Sequence, residues 1–191
     1  MEFTSGGPAA AFATSTLLVA VAEIGDKTQL LSFALAARYR RHAPVILGIL
    51  VATLVNHALA GTLGVVLARL ASPRATAWIV GLSFLAFALW ALKPDRLDDE
   101  PAGRGGIFVT TLIAFFLAEM GDKTQFATIG LGARFGMPVV VTLGTTLGMM
   151  IANVPAVLIG GRLAERFPLG AMRYVAAALF ALTGIATLLL T

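Results

Sequence analysis

The sequence predicts an all-α, polytopic membrane protein of six transmembrane helices arranged as two inverted three-helix repeats. Three observations carry that expectation. Of 191 residues, 58% are hydrophobic and 13% charged, with a mean hydropathy of +0.89; a soluble domain carries about a quarter charged residues. The apolar residues gather in six runs, each long enough to cross a hydrocarbon core of roughly 30 Å. The second half of the chain also repeats the first at a constant offset of 96 residues. With Cys at 0, a disulfide scaffold, a thiolate metal centre and a Cys nucleophile are excluded.

Residues 1–8 form a short lead without a basic segment, so the first run, 9–37, reads as an uncleaved span rather than a signal peptide. The second run covers 44–68 and the third 75–92. Residues 93–106, KPDRLDDEPAGRGG, mix charge with Pro and Gly and read as a solvated linker. Its Asp95, Asp98, Asp99 and Glu100 read as solvated charge, with a weak cation-attracting vestibule as the alternative. The remaining runs are 107–131, 138–159 and 169–190. Backbone groups in lipid must be bonded within their own segment, which makes these runs helices. The organisation expected is a first repeat over 1–92, a cytoplasmic linker over 93–106 and a second repeat over 107–191.

Charge sets the orientation. Loops one, three and five hold nine Lys and Arg (Arg38, Arg40, Arg41; Lys93, Arg96, Arg104; Arg162, Arg166, Arg173). Loops two and four hold three, Arg69, Arg74 and Arg134. The excess places the odd loops in the cytoplasm and both termini outside. The net charge of +4 reflects this topology, and with no basic-aromatic patch a nucleic-acid partner is not expected.

The repeat is most explicit in two heptapeptides, AEIGDKT at 22–28 and AEMGDKT at 118–124. The same offset pairs Gly48 with Gly144, Gly64 with Gly160, Trp78 with Tyr174 and Phe84 with Phe180. A chance apolar match would not keep four polar residues in register. Each half holds three spans, so the second enters the membrane from the opposite side, an architecture that places a binding site near the midplane where the halves meet.

Of ten acidic residues, only Glu23, Asp26, Glu119 and Asp122 lie within the runs, and all four belong to the repeated motif. Ionisable groups at mid-membrane each cost roughly 2.5–3.5 kcal/mol on insertion scales, which implies pairing and use. On a continuous helix, positions i, i+3 and i+4 share a face. Glu23, Asp26 and Lys27 would then point one way, as would Glu119, Asp122 and Lys123, with Thr28 turned away. Gly25 and Gly121 permit either close helix approach or a local unwinding that frees carbonyl oxygens. If the motifs face each other, four acids against two lysines leave a formal charge of −2, which one divalent cation or two protons neutralises. All-oxygen ligands select hard cations such as Ca²⁺, Mn²⁺ or Mg²⁺. The alternative is that Glu23–Lys27 and Glu119–Lys123 are i, i+4 salt bridges holding the bundle together, which would leave Asp26 and Asp122 unpaired.

Two Glu-x-Gly-Asp-Lys-Thr motifs, one in the first span of each half, resemble the mark of the Gdt-type manganese/calcium transporters, placed near the lysine-exporter superfamily. The resemblance covers the whole chain. It implies a cation/proton antiporter exporting Mn²⁺ or Ca²⁺ from the cytoplasm, with Glu23, Asp26, Glu119 and Asp122 as the metal site. The long N-terminal targeting region of organellar members is not present in the sequence, which implies a bacterial inner membrane. Divalent cation, protons and membrane lipids are the partners expected; no cofactor is, and the sequence sets no oligomeric state.

Smaller polar features are read beside these. Asn56 and His57 fall mid-span in the second run, and Asn153, the repeat mate of His57, in the fifth. His57 and Asn153 read as interhelical hydrogen bonders or as a ligand or proton relay. Gln29, Gln125, Thr28 and Thr124 read as secondary ligands or helix-bonding groups, and Lys27 and Lys123 as partners of the acids. Gly144, Gly148, Gly160 and Gly161 read as close-packing positions, and Trp78, Trp90 and Tyr174 as interfacial or packing aromatics. Neither Gly-x-Ser-x-Gly nor His-Glu-x-x-His occurs, and an intramembrane aspartyl hydrolase would have its dyad held ionised by the lysines; no enzyme is expected. A non-transporting assembly factor and an exporter of a cationic amino acid are the remaining alternatives.

Overall fold

The computed structural model describes residues 7–93, 106–159 and 169–189, with side chains described from Tyr174 onward in the last stretch. Among the described residues it is all-helical, with eight helices where six runs were expected, because the first and fourth runs break. The helices are α1 (Pro8–Glu23), α2 (Lys27–Tyr39), α3 (His42–Leu70), α4 (Pro73–Ala91), α5 (Ile107–Glu119), α6 (Lys123–Phe135), α7 (Pro138–Ile159) and α8 (Leu169–Leu189). Residues 94–105, which hold the four linker acids, and 160–168, with Gly160, Gly161, Arg162 and Arg166, lie outside the described residues, as does the Arg173 side chain.

Local chemistry sets the ends. Pro8 and Pro73 stand at first helical positions, where the missing N–H costs nothing. The Ser72 hydroxyl caps α4 by accepting the Ala75 N–H at 3.3 Å. Helices α2 and α6 end at equivalent repeat positions, Arg40 (φ 50°) and Gly136 (φ 66°), both left-handed.

Helices α3, α4 and α7 are long and apolar enough to cross a membrane, and α1 with α2, bent by 68°, makes a fourth such unit. Helix α5 and the described part of α8 are shorter apolar helices. Large apolar side chains face outward along these helices, among them Leu59, Leu63 and Leu67 on α3 and Leu143 and Ile151 on α7. In water they would be a liability; against acyl chains they are the natural surface.

The two halves are interleaved. Helix α1 packs on α7 of the other half, and α5 packs on α3. Glycines make both crossings close. A Cβ added to Gly144 would lie 2.8 Å from the Phe12 carbonyl oxygen and 2.9 Å from Ser15 Cβ. One added to Gly48 would lie 3.0 Å from the Phe108 carbonyl and 2.7 Å from Thr111 Cβ. These are the same contacts, exchanged by the offset of 96 residues. Gly148, one turn on from Gly144, brings α7 against the Thr16 carbonyl, a small-xxx-small seam of the kind lipid-embedded helices use. Helices α4 and α8 cross at Gly81 and Gly184, where the repeat mates Phe84 and Phe180 stack with centroids 6.1 Å apart. One apolar cluster gathers around Phe84, Phe180 and Leu131, another around Leu31, Leu35, Ile49 and Phe115. The motif acids lie buried in the interior of this bundle.

Candidate functional site

Each motif breaks its helix. Helix α1 ends at Glu23, Ile24 is extended, Gly25 takes φ +83°, and α2 begins after Asp26. The other motif repeats this through Met120 and Gly121 (φ +72°). A left-handed glycine costs little there, whereas a side chain would be strained. The Asp26 N–H returns to the Glu23 carbonyl at 3.0 Å and the Asp122 N–H to the Glu119 carbonyl at 3.1 Å. Each Glu is thus the last residue of one helix, and each Asp the cap position of the next. Neither Asp uses its carboxylate to cap the helix it precedes. The shared-face geometry expected of an unbroken helix therefore does not hold; the unwinding that glycine permits does.

Unwinding corrects two further expectations. Thr28 does not turn away: its hydroxyl lies 3.5 Å from Asp26 Oδ2, and Thr124 donates to Asp122 Oδ2 at 3.0 Å. The lysines form ion pairs across the two motifs. Lys123 Nζ lies 2.5 Å from Asp26 Oδ1, and Lys27 Nζ lies 3.9 Å from Asp122 Oδ1. Each ammonium crosses to the opposite repeat, so the salt bridges join the two halves instead of stiffening one helix.

The structure brings three of the four acids together. Glu23, Asp26 and Asp122 are buried, each with a carboxylate oxygen within 4.8 Å of the others. Glu119 is equally buried but stands outside that trio, its Oε1 accepting a hydrogen bond from Thr53 of α3. On the other side, Asn153 of α7 donates to Glu23 Oε1 at 3.2 Å and accepts from Ser32 at 2.6 Å. Glu23 Oε2 and Glu119 Oε2 make no hydrogen bond among the described residues. A buried carboxylate oxygen without a donor is costly unless a proton or a cation occupies it. Oxygens sharing one Ca²⁺ at roughly 2.3–2.6 Å lie within about 5 Å of each other, a spacing the trio satisfies.

The glutamines brace the breaks. Gln29 Oε1 accepts the Gly25 N–H at 2.8 Å, and Gln125 Oε1 accepts the Gly121 N–H at 2.8 Å. Their amide groups then donate across the interface, Gln29 to the Ala152 carbonyl at 3.1 Å and Gln125 to Asn56 Oδ1. Asn56 in turn lies 3.4 Å from the Phe116 carbonyl. His57 is fully buried, and neither ring nitrogen has a partner among the described residues. Ser32 and Thr53 escaped the sequence reading. Their only signal was a hydroxyl within an apolar run, which many lipid-embedded helices carry for back-bonding to their own carbonyls. Trp78 and Tyr174 are exposed, at 52% and 71%, as interfacial aromatics are.

Buried carboxylates at two helix breaks lie inside an all-helical bundle whose long apolar helices mark a membrane protein. The family described as "Divalent cation/proton antiporter GDT1" matches residues 11–99 and 107–191, and the chain belongs to it. A Vibrio cholerae protein named "Putative manganese exporter" is 54% identical over 177 residues, covering 92% of this chain and 88% of its own length. A "GDT1-like protein 5" of Arabidopsis thaliana is 31% identical over 218 residues, covering 93% and 95%. A GDT1-like protein of Synechocystis is 30% identical over 186 residues, covering 82% and 87%. No solved structure matches the chain.

Proposed function

We propose that this protein exports Mn²⁺ or Ca²⁺ from a bacterial cytoplasm in exchange for protons, through a midplane site of Glu23, Asp26, Asp122 and Glu119. The observation that carries this is the buried trio of carboxylates, contributed by both repeats and crossed by two lysines. With Glu119 included, four acids against two ammonium groups leave two negative charges for a divalent ion or two protons to neutralise. Metal and protons then exclude each other at one place, which is the minimum an antiporter requires. The carboxylates bind and release an ion; they make and break no covalent bond. In this reading the chain crosses the membrane six times as an inverted repeat, with both termini outside, and the two halves rock about the fixed site. The name of the Vibrio cholerae relative, "Putative manganese exporter", supports manganese as cargo.

The test is metal-dependent proton flux in proteoliposomes, comparing Mn²⁺, Ca²⁺, Mg²⁺ and lysine, with Glu23→Gln and Glu119→Gln as controls. The expected result is proton release coupled to Mn²⁺ or Ca²⁺ entry and lost in both variants. Well-folded protein that couples no cation to proton movement would overturn the reading.

A further inference from the structure

The two motifs are nearly identical in sequence, yet the structure holds them differently. Lys123 is 3% exposed and sits on Asp26, while Lys27 is 28% exposed and stands 3.9 Å from Asp122. An ammonium partly exposed within an apolar bundle needs water, because lipid does not solvate it. Lys27, at the start of α2, is therefore the more accessible of the two ammonium groups, and Lys123, at the start of α6, the enclosed one.

Packing agrees with this. On the Lys123 side, α6 and α3 touch backbone to backbone: a Cβ at Gly64 would overlap the Ile129 carbonyl, and one at Gly132 the Gly61 carbonyl. Gly130 lies against the Phe84 ring of α4. Arg134, near the end of α6, reaches α8 through Thr187 Oγ1 at 2.9 Å and the Thr183 carbonyl at 3.3 Å. On the α2 side, the repeat mates of Gly132 and Gly61 are Ala36 and Val157, both buried, so that crossing is filled by side chains and not by backbone contact at glycines. Arg38, the mate of Arg134, is exposed.

We propose that Lys27 and Lys123 are alternating gate cations of the carrier. In the conformation seen, Lys123 sits on Asp26 and closes the α6 face; in the alternate conformation Lys27 sits on Asp122 and closes the α2 face, while Lys123 is released to water. This rests on the transport reading above. Its chemical sense is that one Asp always keeps a buried counter-cation, while the other is offered to an entering divalent ion that outcompetes a single ammonium. The carrier then turns over without exposing its whole acid cluster to lipid uncompensated.

The chain has three lysines, Lys27, Lys93 and Lys123, so a small water-soluble acylating reagent read by peptide mass spectrometry reports both gates, with exposed Lys93 as the internal standard. In the wild type, Lys123 is expected to react at least about tenfold more slowly than Lys93, with Lys27 between them. Gly132→Leu wedges α6 from α3, and its fold is checked by a single monodisperse elution peak; Arg134→Ala, which cuts only the tie to α8, is the milder second variant. Either folded variant is expected to make Lys123 reactive and Lys27 protected. Equal reactivity of Lys27 and Lys123 in the wild type, both lysines reactive in the variants, or Lys123 still protected in both, would each overturn the gate. Wild-type flux accompanied by any of those patterns removes the gate and leaves the transporter standing. Absence of wild-type flux removes the transport reading whatever the labelling shows.

Discussion

At the scale of single residues, the site depends on polar groups that hold the two glutamates from outside the motifs. Asn153 bridges Ser32 and Glu23, while Thr53 holds Glu119. The repeat mate of Asn153 is His57, and that of Thr53 is Met149, so the two glutamates have chemically different supports. Asn153→Ala leaves Glu23 without its donor. A lost hydrogen bond to a buried charged group is worth roughly 1–3 kcal/mol, so Mn²⁺ half-saturation in the flux assay is expected to rise about tenfold. Asn153→Asp would add a further negative charge beside Glu23 and is expected to slow proton release more than it weakens metal binding. Unchanged half-saturation in Asn153→Ala, at normal expression, would show that Glu23 is not held through this bridge.

At the scale of elements, the two helix breaks are what convert apolar runs into a site. Each break has the same three parts: a Glu closing one helix, a left-handed glycine, and a Gln whose carbonyl oxygen takes the glycine N–H. Gly25→Ala and Gly121→Ala force a side chain into the left-handed region, at a cost of about 1–2 kcal/mol each, and are expected to lower the melting temperature of the purified protein. Gln125→Leu removes both the brace on Gly121 and the tie to Asn56, and is expected to destabilise by a similar amount, about 1–3 kcal/mol. If melting is unchanged in both glycine variants, the breaks are not held in this geometry. The close helix crossings obey the same logic, since Gly144 and Gly148 admit the α1 backbone where any larger residue would push it out.

At the scale of the whole molecule, the interleaving of the halves and the orientation in the membrane are separate matters. The interleaving is seen in the α1–α7 and α5–α3 crossings. The proposed orientation rests on the excess of basic residues at the odd loops over the even ones. A chain without Cys is a ready background for single-cysteine mapping. In intact cells or right-side-out vesicles, Ser72→Cys is expected to react with an impermeant maleimide, and Asp98→Cys only after the membrane is permeabilised. The reverse pattern would invert the proposed direction of transport.

The sequence by itself determined the class of fold, both outer ends of five of the six runs to within about two residues, and the four acids together with their repeat. Those features are written in local composition: an apolar run is helical in lipid whatever surrounds it, and a charged residue in such a run marks itself. The family followed from the same motif. Only the tertiary structure decided that the motif helices unwind instead of continuing, because a glycine supports both outcomes and the choice falls to Gln29 and Gln125 reaching across to α7 and α3. Only the tertiary structure crossed the lysines, drew Glu23 into the trio and left Glu119 to Thr53. These are contacts between residues far apart in the chain, and they are set by how two halves of nearly equal sequence pack unequally around a shared charge.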